Sequence, residues 1–148
     1  MTTREAYDEL YCYAVSHSGP DFILQHVVDA FGAQEASSAD KPIRLVFSLV
    51  GLYLHVERGF TGREVQLAHM KLGRDKREWP LVSIPENRGE ISAENVLAAS
   101  ASDRDAMIHE WCRSVWQAYE KERTTIEDLL RAYNITDPVS VQPSKQAR

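Results

Sequence analysis

The sequence predicts an all-α fold: a bundle of about five or six helices around a buried central helix spanning residues 42–58. Three observations carry this. Apolar residues recur at helical spacing along most of the chain. Capping residues and Gly or Pro stops punctuate those segments. Extended candidates are nearly absent: Pro80–Ile84 is the one such run, and a lone strand has no partner.

The first helix starts at Thr2 or Thr3, where Thr2 and Glu5 have capping-box spacing. Ala6, Tyr7, Leu10, Tyr11 and Ala14 form its apolar stripe. Gly19-Pro20 ends it and opens a second helix over roughly Asp21 to Glu35, with Ile23, Val27 and Phe31 on one face. Pro42 opens the third helix, and Gly59 is its left-handed stop. That helix is apolar on most sides, which marks it as buried. Thr61 and Glu64 form the strongest capping box and start a fourth helix closing at Gly73. A long loop follows, from Arg74 to Ile91, with Trp79, Leu81, Val82 and Ile84 expected to pack it down. Ser92 caps a short helix to Ala99, and Ser102 or Asp103 opens another carrying Ile108, Trp111, Val115 and Tyr119. Thr125 to Tyr133 either continues that helix or kinks from it. Residues 1–135 read as a single helical domain, and 136–148, with Pro138 and Pro143, as a disordered or loosely attached tail.

A formal net charge of -5 argues against a generic nucleic-acid binder. No stretch has the makeup of a secretory signal. The most apolar run, Leu45–Leu54, is too short to span a bilayer. With no CxxC pair, Cys12 and Cys112 read as two buried, reduced thiols of a cytoplasmic protein. The oligomeric state is not legible.

Two stripes of small and polar residues stand out. His26 shares one with Asp29, Ala30 and Ala33, and His55 shares another with Ser48 and Gly51. Facing each other, they would leave a polar cleft between the second, third and fourth helices, suited to a small ligand or a protein partner. His26, Asp29, Glu57, Gln66 and His69 are the candidate binding residues. The competing reading is a metal-dependent enzyme with a divalent ion on His26, His55 and His69, since helical bundles build metal sites from inward-facing side chains. Helix rise tests it: measured from the connecting loop, His26 and His55 differ in height by roughly 6 Å, and His55 and His69 by roughly 7 Å. No HxxxH or HExxH pair holds two ligands on one helix. A purely structural assignment has His26 bonded to Asp29, His55 charged near a helix C-terminus and His69 on a solvated rim.

Other constellations are plainer. His109 and Cys112 share a helix face, but no orienting partner is evident, so a core thiol beside an exposed imidazole is expected. Trp111, Trp116 and Tyr119 read as core. Between residues 58 and 77, six basic residues outnumber two acidic ones, which suits an anionic ligand, nucleic acid or an acidic partner, or else a solvated face and a charged loop.

The runs HVVDAFGAQ (His26–Gln34) and KPIRLVFSLVGLYLHVERGFTGREVQLAHM (Lys41–Met70), followed by Trp79-Pro80, resemble a group of small bacterial helical proteins of unknown function. The resemblance runs from Tyr7 to about Tyr119 and implies no activity. A looser similarity is to the metal-dependent, DinB-like helical bundles, whose ligands are a His on one helix and an HxxxH pair on another; this sequence has no such pair.

Overall fold

The computed structural model describes residues 1–17, 19–74 and 78–143. Among the described residues, seven α-helices follow in order: α1 (Thr3–Ser16), α2 (Leu24–Gln34), α3 (Pro42–Arg58), α4 (Gly62–Leu72), α5 (Ala93–Ala98), α6 (Arg104–Ala118) and α7 (Arg123–Ala132). A 3-10 turn (Glu120–Glu122) breaks the path between α6 and α7, so the C-terminal segment kinks rather than continues. The described residues contain no strand; Pro80–Ile84 is irregular.

The local signals act through named bonds. Thr61 Oγ accepts from the Glu64 backbone N–H at 3.2 Å, and Glu64 accepts from the Thr61 N–H at 2.9 Å, which closes the capping box. Gly59 takes the left-handed conformation (φ 70°) that ends α3. The start of α2 differs from expectation. Phe22 sits at φ 56°, a region unfavourable to a bulky side chain, so Gly19–Phe22 is a turn and the helix begins at Leu24. The N-terminus of α4 clamps this turn: the Arg63 N–H donates to the Asp21 carbonyl at 3.1 Å. A Cβ on Gly62 would lie 1.8 Å from the Phe22 carbonyl oxygen, so only glycine allows the approach.

α3 is the buried centre, with Leu45, Val46, Leu49, Val50, Leu52 and Leu54 in the core. It packs on α2, α4, α6 and α7, while α2 also touches α1, α4 and α6. Trp111 and Tyr119 are buried as expected and reach back to α2: the Trp111 indole N–H donates to Gln34 at 2.9 Å, and the Tyr119 hydroxyl to the Ala33 carbonyl at 2.7 Å. In the long loop, Trp79, Val82 and Ile84 pack against the core, but Leu81 is 85 % exposed. Cys112 is buried, whereas Cys12 is exposed, contrary to the expectation for both; both are free thiols. Residues 138–141 form a 3-10 turn with Val141 buried, and Lys71 donates to the Ser140 carbonyl at 3.2 Å. This part of the expected tail is therefore docked on α4, and residues 144–148 lie outside the described residues. Among the described residues, no helix is long and apolar enough to cross a membrane.

Candidate functional site

The two small polar stripes face each other along the antiparallel contact of α2 and α3. Three layers make the seam. The His26 and His55 rings stack with centroids 3.6 Å apart. Asp29 lies against Gly51 so closely that a Cβ there would be 1.8 Å from its Oδ2. Gly32 lies against Ser48, with 2.5 Å between a virtual Cβ and the hydroxyl. Two of the layers set a glycine opposite a polar side chain and the third stacks two rings, which is why the pattern stood out.

At the first end the seam opens into a cavity of about 370 Å³ between the Gly19–Phe22 turn, α3, the Gly59–Thr61 turn and α6. Here α6 contributes a residue that sequence reasoning placed in solvent. His109 is half-buried, and its Nδ1 lies 2.9 Å from His55 Nε2. His55 Nδ1 is 3.0 Å from the Phe60 carbonyl, which only accepts, so that nitrogen carries the proton. Burial lowers the pKa of all three rings, that of His26 to about 2, so they are neutral at pH 7. A charged His55 stabilised by the helix dipole is therefore corrected: desolvation outweighs the helix end. Neither ring nitrogen of His26 has a hydrogen bond among the described residues, and Asp29 is not its partner; Asp29 Oδ1 accepts from Gln25 at 3.1 Å.

This geometry does not suit a metal. With metal–nitrogen bonds of about 2 Å, two tetrahedral imidazole ligands hold their ring centroids about 5 Å apart. His55 and His109 stand at 4.9 Å, but His26 stacks on His55 at 3.6 Å, and both His55 nitrogens are already engaged. His69, the third residue of the expected metal set, lies elsewhere: its Nε2 donates to the Phe47 carbonyl at 2.8 Å. No group of three or more His, Cys, Asp or Glu side chains among the described residues is arranged to hold a metal ion.

The other end of the seam opens into a groove of about 780 Å³ bounded by α1, α2, α3 and α4. Its floor carries Asp29, Ser48 and Gln25, and its walls are aromatic. Tyr7 stacks on Phe31 with centroids 3.9 Å apart, and Phe47 on His69 at 5.0 Å. Burial pushes the Asp29 carboxyl well above the usual carboxylate range, and its Oδ2 has no hydrogen-bond partner among the described residues. Burial also holds His69 down, to about 4; the ring is half-buried and lines the groove, bonded to Phe47 rather than to solvent.

A family model described as a family of unknown function, DUF5946, matches residues 4–120. The chain belongs to this family. No curated protein and no solved structure gives a significant match. The matched part of this DUF5946 chain contains the whole seam and both cavities, whereas α7 lies beyond it.

Two expected binding residues of the DUF5946 chain fall outside either cavity. Glu57 faces α6 and α7, accepting from the Trp116 indole at 2.6 Å and from Arg123 at 2.8 Å. Gln66 pairs with Arg63 on the surface of α4. Both sit on polar faces of their helices, and sequence periodicity does not tell a face that lines a groove from one that meets another helix. Cys112 is no nucleophile: it is fully buried, its thiol is pushed up by burial, and its Sγ is 3.6 Å from the His26 carbonyl. Of the basic stretch, Asp75, Lys76 and Arg77 lie outside the described residues.

Proposed function

We propose that this protein binds a small, flat, largely apolar ligand in the groove between α1, α2, α3 and α4. The observation that carries the reading is the groove itself, an opening of about 780 Å³ flanked by the Tyr7–Phe31 and Phe47–His69 ring pairs, with Gln25 and Ser48 in its lining. The groove has the volume of a small-molecule site, and its lining combines aromatic side chains with polar and charged ones, among them Arg4, Glu35, Asp40 and Arg44. Stacked ring pairs on both sides favour an aromatic guest over a protein surface. His69 is held by the Phe47 carbonyl, and Asp29 Oδ1 by the Gln25 side chain, so both are fixed in place at the groove.

The test is a titration of ¹⁵N-labelled protein with indole as probe. Saturable shifts are expected at Gly32, Ser48 and His69, and Ile43→Trp, a bulkier side chain at a partly buried position of the lining, is expected to weaken them. Shifts that do not saturate, or that map away from these residues, would sink the proposal.

A further inference from the structure

We propose that the histidine-lined cavity at the opposite end of the seam is a second binding site, and that its ligand is a small organic ammonium ion. This does not rest on the groove reading. The cavity is rich in acceptors and poor in donors. Asp21 and Asp105 line it, and no Lys or Arg does among the described residues. Arg113, which acts electrostatically on His55 and His109, is paired with Glu110 at 2.5 Å, and both it and Arg104 lie outside the lining.

The hydrogen bonds fix which nitrogen lone pairs remain. The Phe60 carbonyl takes the His55 Nδ1 proton, so neutral His55 accepts at Nε2. His109 must then donate from Nδ1, which leaves its Nε2 as an unprotonated acceptor. A backbone carbonyl thus sets the tautomer of a ring one residue further along the chain of bonds. His26 is 3 % exposed, lines the cavity, and has no hydrogen bond to either ring nitrogen among the described residues. Neither nitrogen is wholly enclosed, so the ring is open to the cavity and can bond an occupant.

Taken together, the cavity offers two carboxylates, of which Asp105 already accepts from the Tyr13 hydroxyl at 2.8 Å through Oδ1, the His109 lone pair and one lone pair of neutral His26. Against these stand only a His26 N–H, the Thr61 hydroxyl and the exposed His17 ring as donors. An ammonium group supplies three N–H donors and the positive charge that Asp21 and Asp105 call for. Its alkyl part meets Phe22 and Phe60, which also line the cavity and whose ring faces attract a cation. An anion would meet two carboxylates without a compensating cation.

Three near-isosteric probes separate charge from shape: n-propylammonium, 1-propanol and propionate, each titrated into the full chain and followed by ¹H–¹⁵N spectra. Propylammonium is expected to shift Thr61, His55 and His109 saturably, with 1-propanol at least about tenfold weaker and propionate without effect. Asp105 and Asp21 are exposed, so Asp105→Asn and Asp21→Asn keep the fold and are expected to weaken binding several-fold each. Ile43→Trp in the groove is expected to leave it unchanged, so the two sites stand or fall separately. Long-range ¹H–¹⁵N correlations are expected to show His109 as the Nδ1–H tautomer. Equal binding of 1-propanol, any binding of propionate, no saturable binding of propylammonium, or a His109 proton on Nε2 would each overturn the proposal.

Discussion

Substituting Gly51 by alanine sets two effects of opposite sign against each other. Gly51 lies in the middle of α3, where alanine is favoured over glycine by about 1 kcal/mol in helix propensity. On a surface helix the substitution would stabilise. Here the new Cβ would lie 1.8 Å from Asp29 Oδ2, 2.5 Å from its Cγ and 3.1 Å from a Val65 methyl. An ordinary carbon–oxygen contact is well over an ångström longer than the first of these. The carboxyl must rotate away, which breaks its bond to Gln25, or the two helices must part. Overpacking of this kind costs about 1–3 kcal/mol and the lost hydrogen bond about 1 kcal/mol. The net expectation is a destabilisation of about 1–3 kcal/mol.

The Asp29→Ala background removes the obstacle. There the only remaining effect of Gly51→Ala is propensity, apart from the milder Val65 contact, so the sign should reverse to a stabilisation of up to about 1 kcal/mol. Neighbouring residues couple by about 0.5–3 kcal/mol, and a value in the upper half of that range is expected for this pair. Urea unfolding of wild type, both single variants and the double variant, followed by far-UV circular dichroism, measures the cycle. If Gly51→Ala stabilises the wild-type protein, or shifts both backgrounds equally, the close packing of Asp29 on α3 is wrong.

Two further outcomes follow from other parts of the molecule. His69 has its pKa lowered from 6.5 to about 4, so between those values the folded protein binds fewer protons than the unfolded chain. Its contribution, about 3 kcal/mol at most, is present above pH 6.5 and is lost as the pH falls toward 4. Burial lowers His26 further and acts in the same direction, while the raised Asp29 opposes it, giving stability at low pH that is lost as the pH rises. Urea midpoints are expected to drop between pH 7 and pH 4.5, and less steeply in His69→Phe; an unchanged slope in that variant refutes the assignment. The second concerns Arg88, which holds the long loop to the C-terminal end of α2 by donating to the Gln34 carbonyl at 2.9 Å and also to the Ala36 carbonyl. Arg88→Met removes these charge-assisted bonds and is expected to cost about 2–3 kcal/mol and to speed chymotryptic cleavage near Trp79 and Leu81; cleavage at the wild-type rate counts against this anchoring.

Local chemistry was legible wherever a residue acts on its own neighbourhood. Thr61 with Glu64, Gly59, Pro42 and the apolar faces of the third helix each state their role within one or two turns, and the structure places them accordingly. The start of α2 was not legible, because nothing in the residue types announces Phe22 at positive φ; contact with the α4 N-terminus imposes it. His109 was missed for a related reason. Its own helix has a polar face there, and only the rotation of α6 against α2 and α3 turns that face toward His55. Hydrophobic periodicity reports which face is apolar, not what meets the polar one.

The register of α2 against α3 shows what short-range reasoning needs in addition. Counting rise from the connecting loop places His26 and His55 roughly 6 Å apart in height, because it centres the hairpin on the loop itself. In the structure His26 meets His55, Asp29 meets Gly51 and Gly32 meets Ser48, so the pairing is centred near residue 40, whereas the connection from Gln34 to Pro42 is centred on residue 38. A shift of two residues in the centre moves the partners by about four residues, or about 6 Å, which cancels the offset. The first turn of α3 therefore overhangs the end of α2. The seam itself supplies the reason: only in this register does each polar side chain of one helix fall opposite a small residue or another ring. A slide of one turn would set Asp29 against Leu54 or Phe47. The identities of Gly32, Ser48, Gly51 and His55 thus contain the register, and they yield it once the two stripes are matched to each other rather than to the loop.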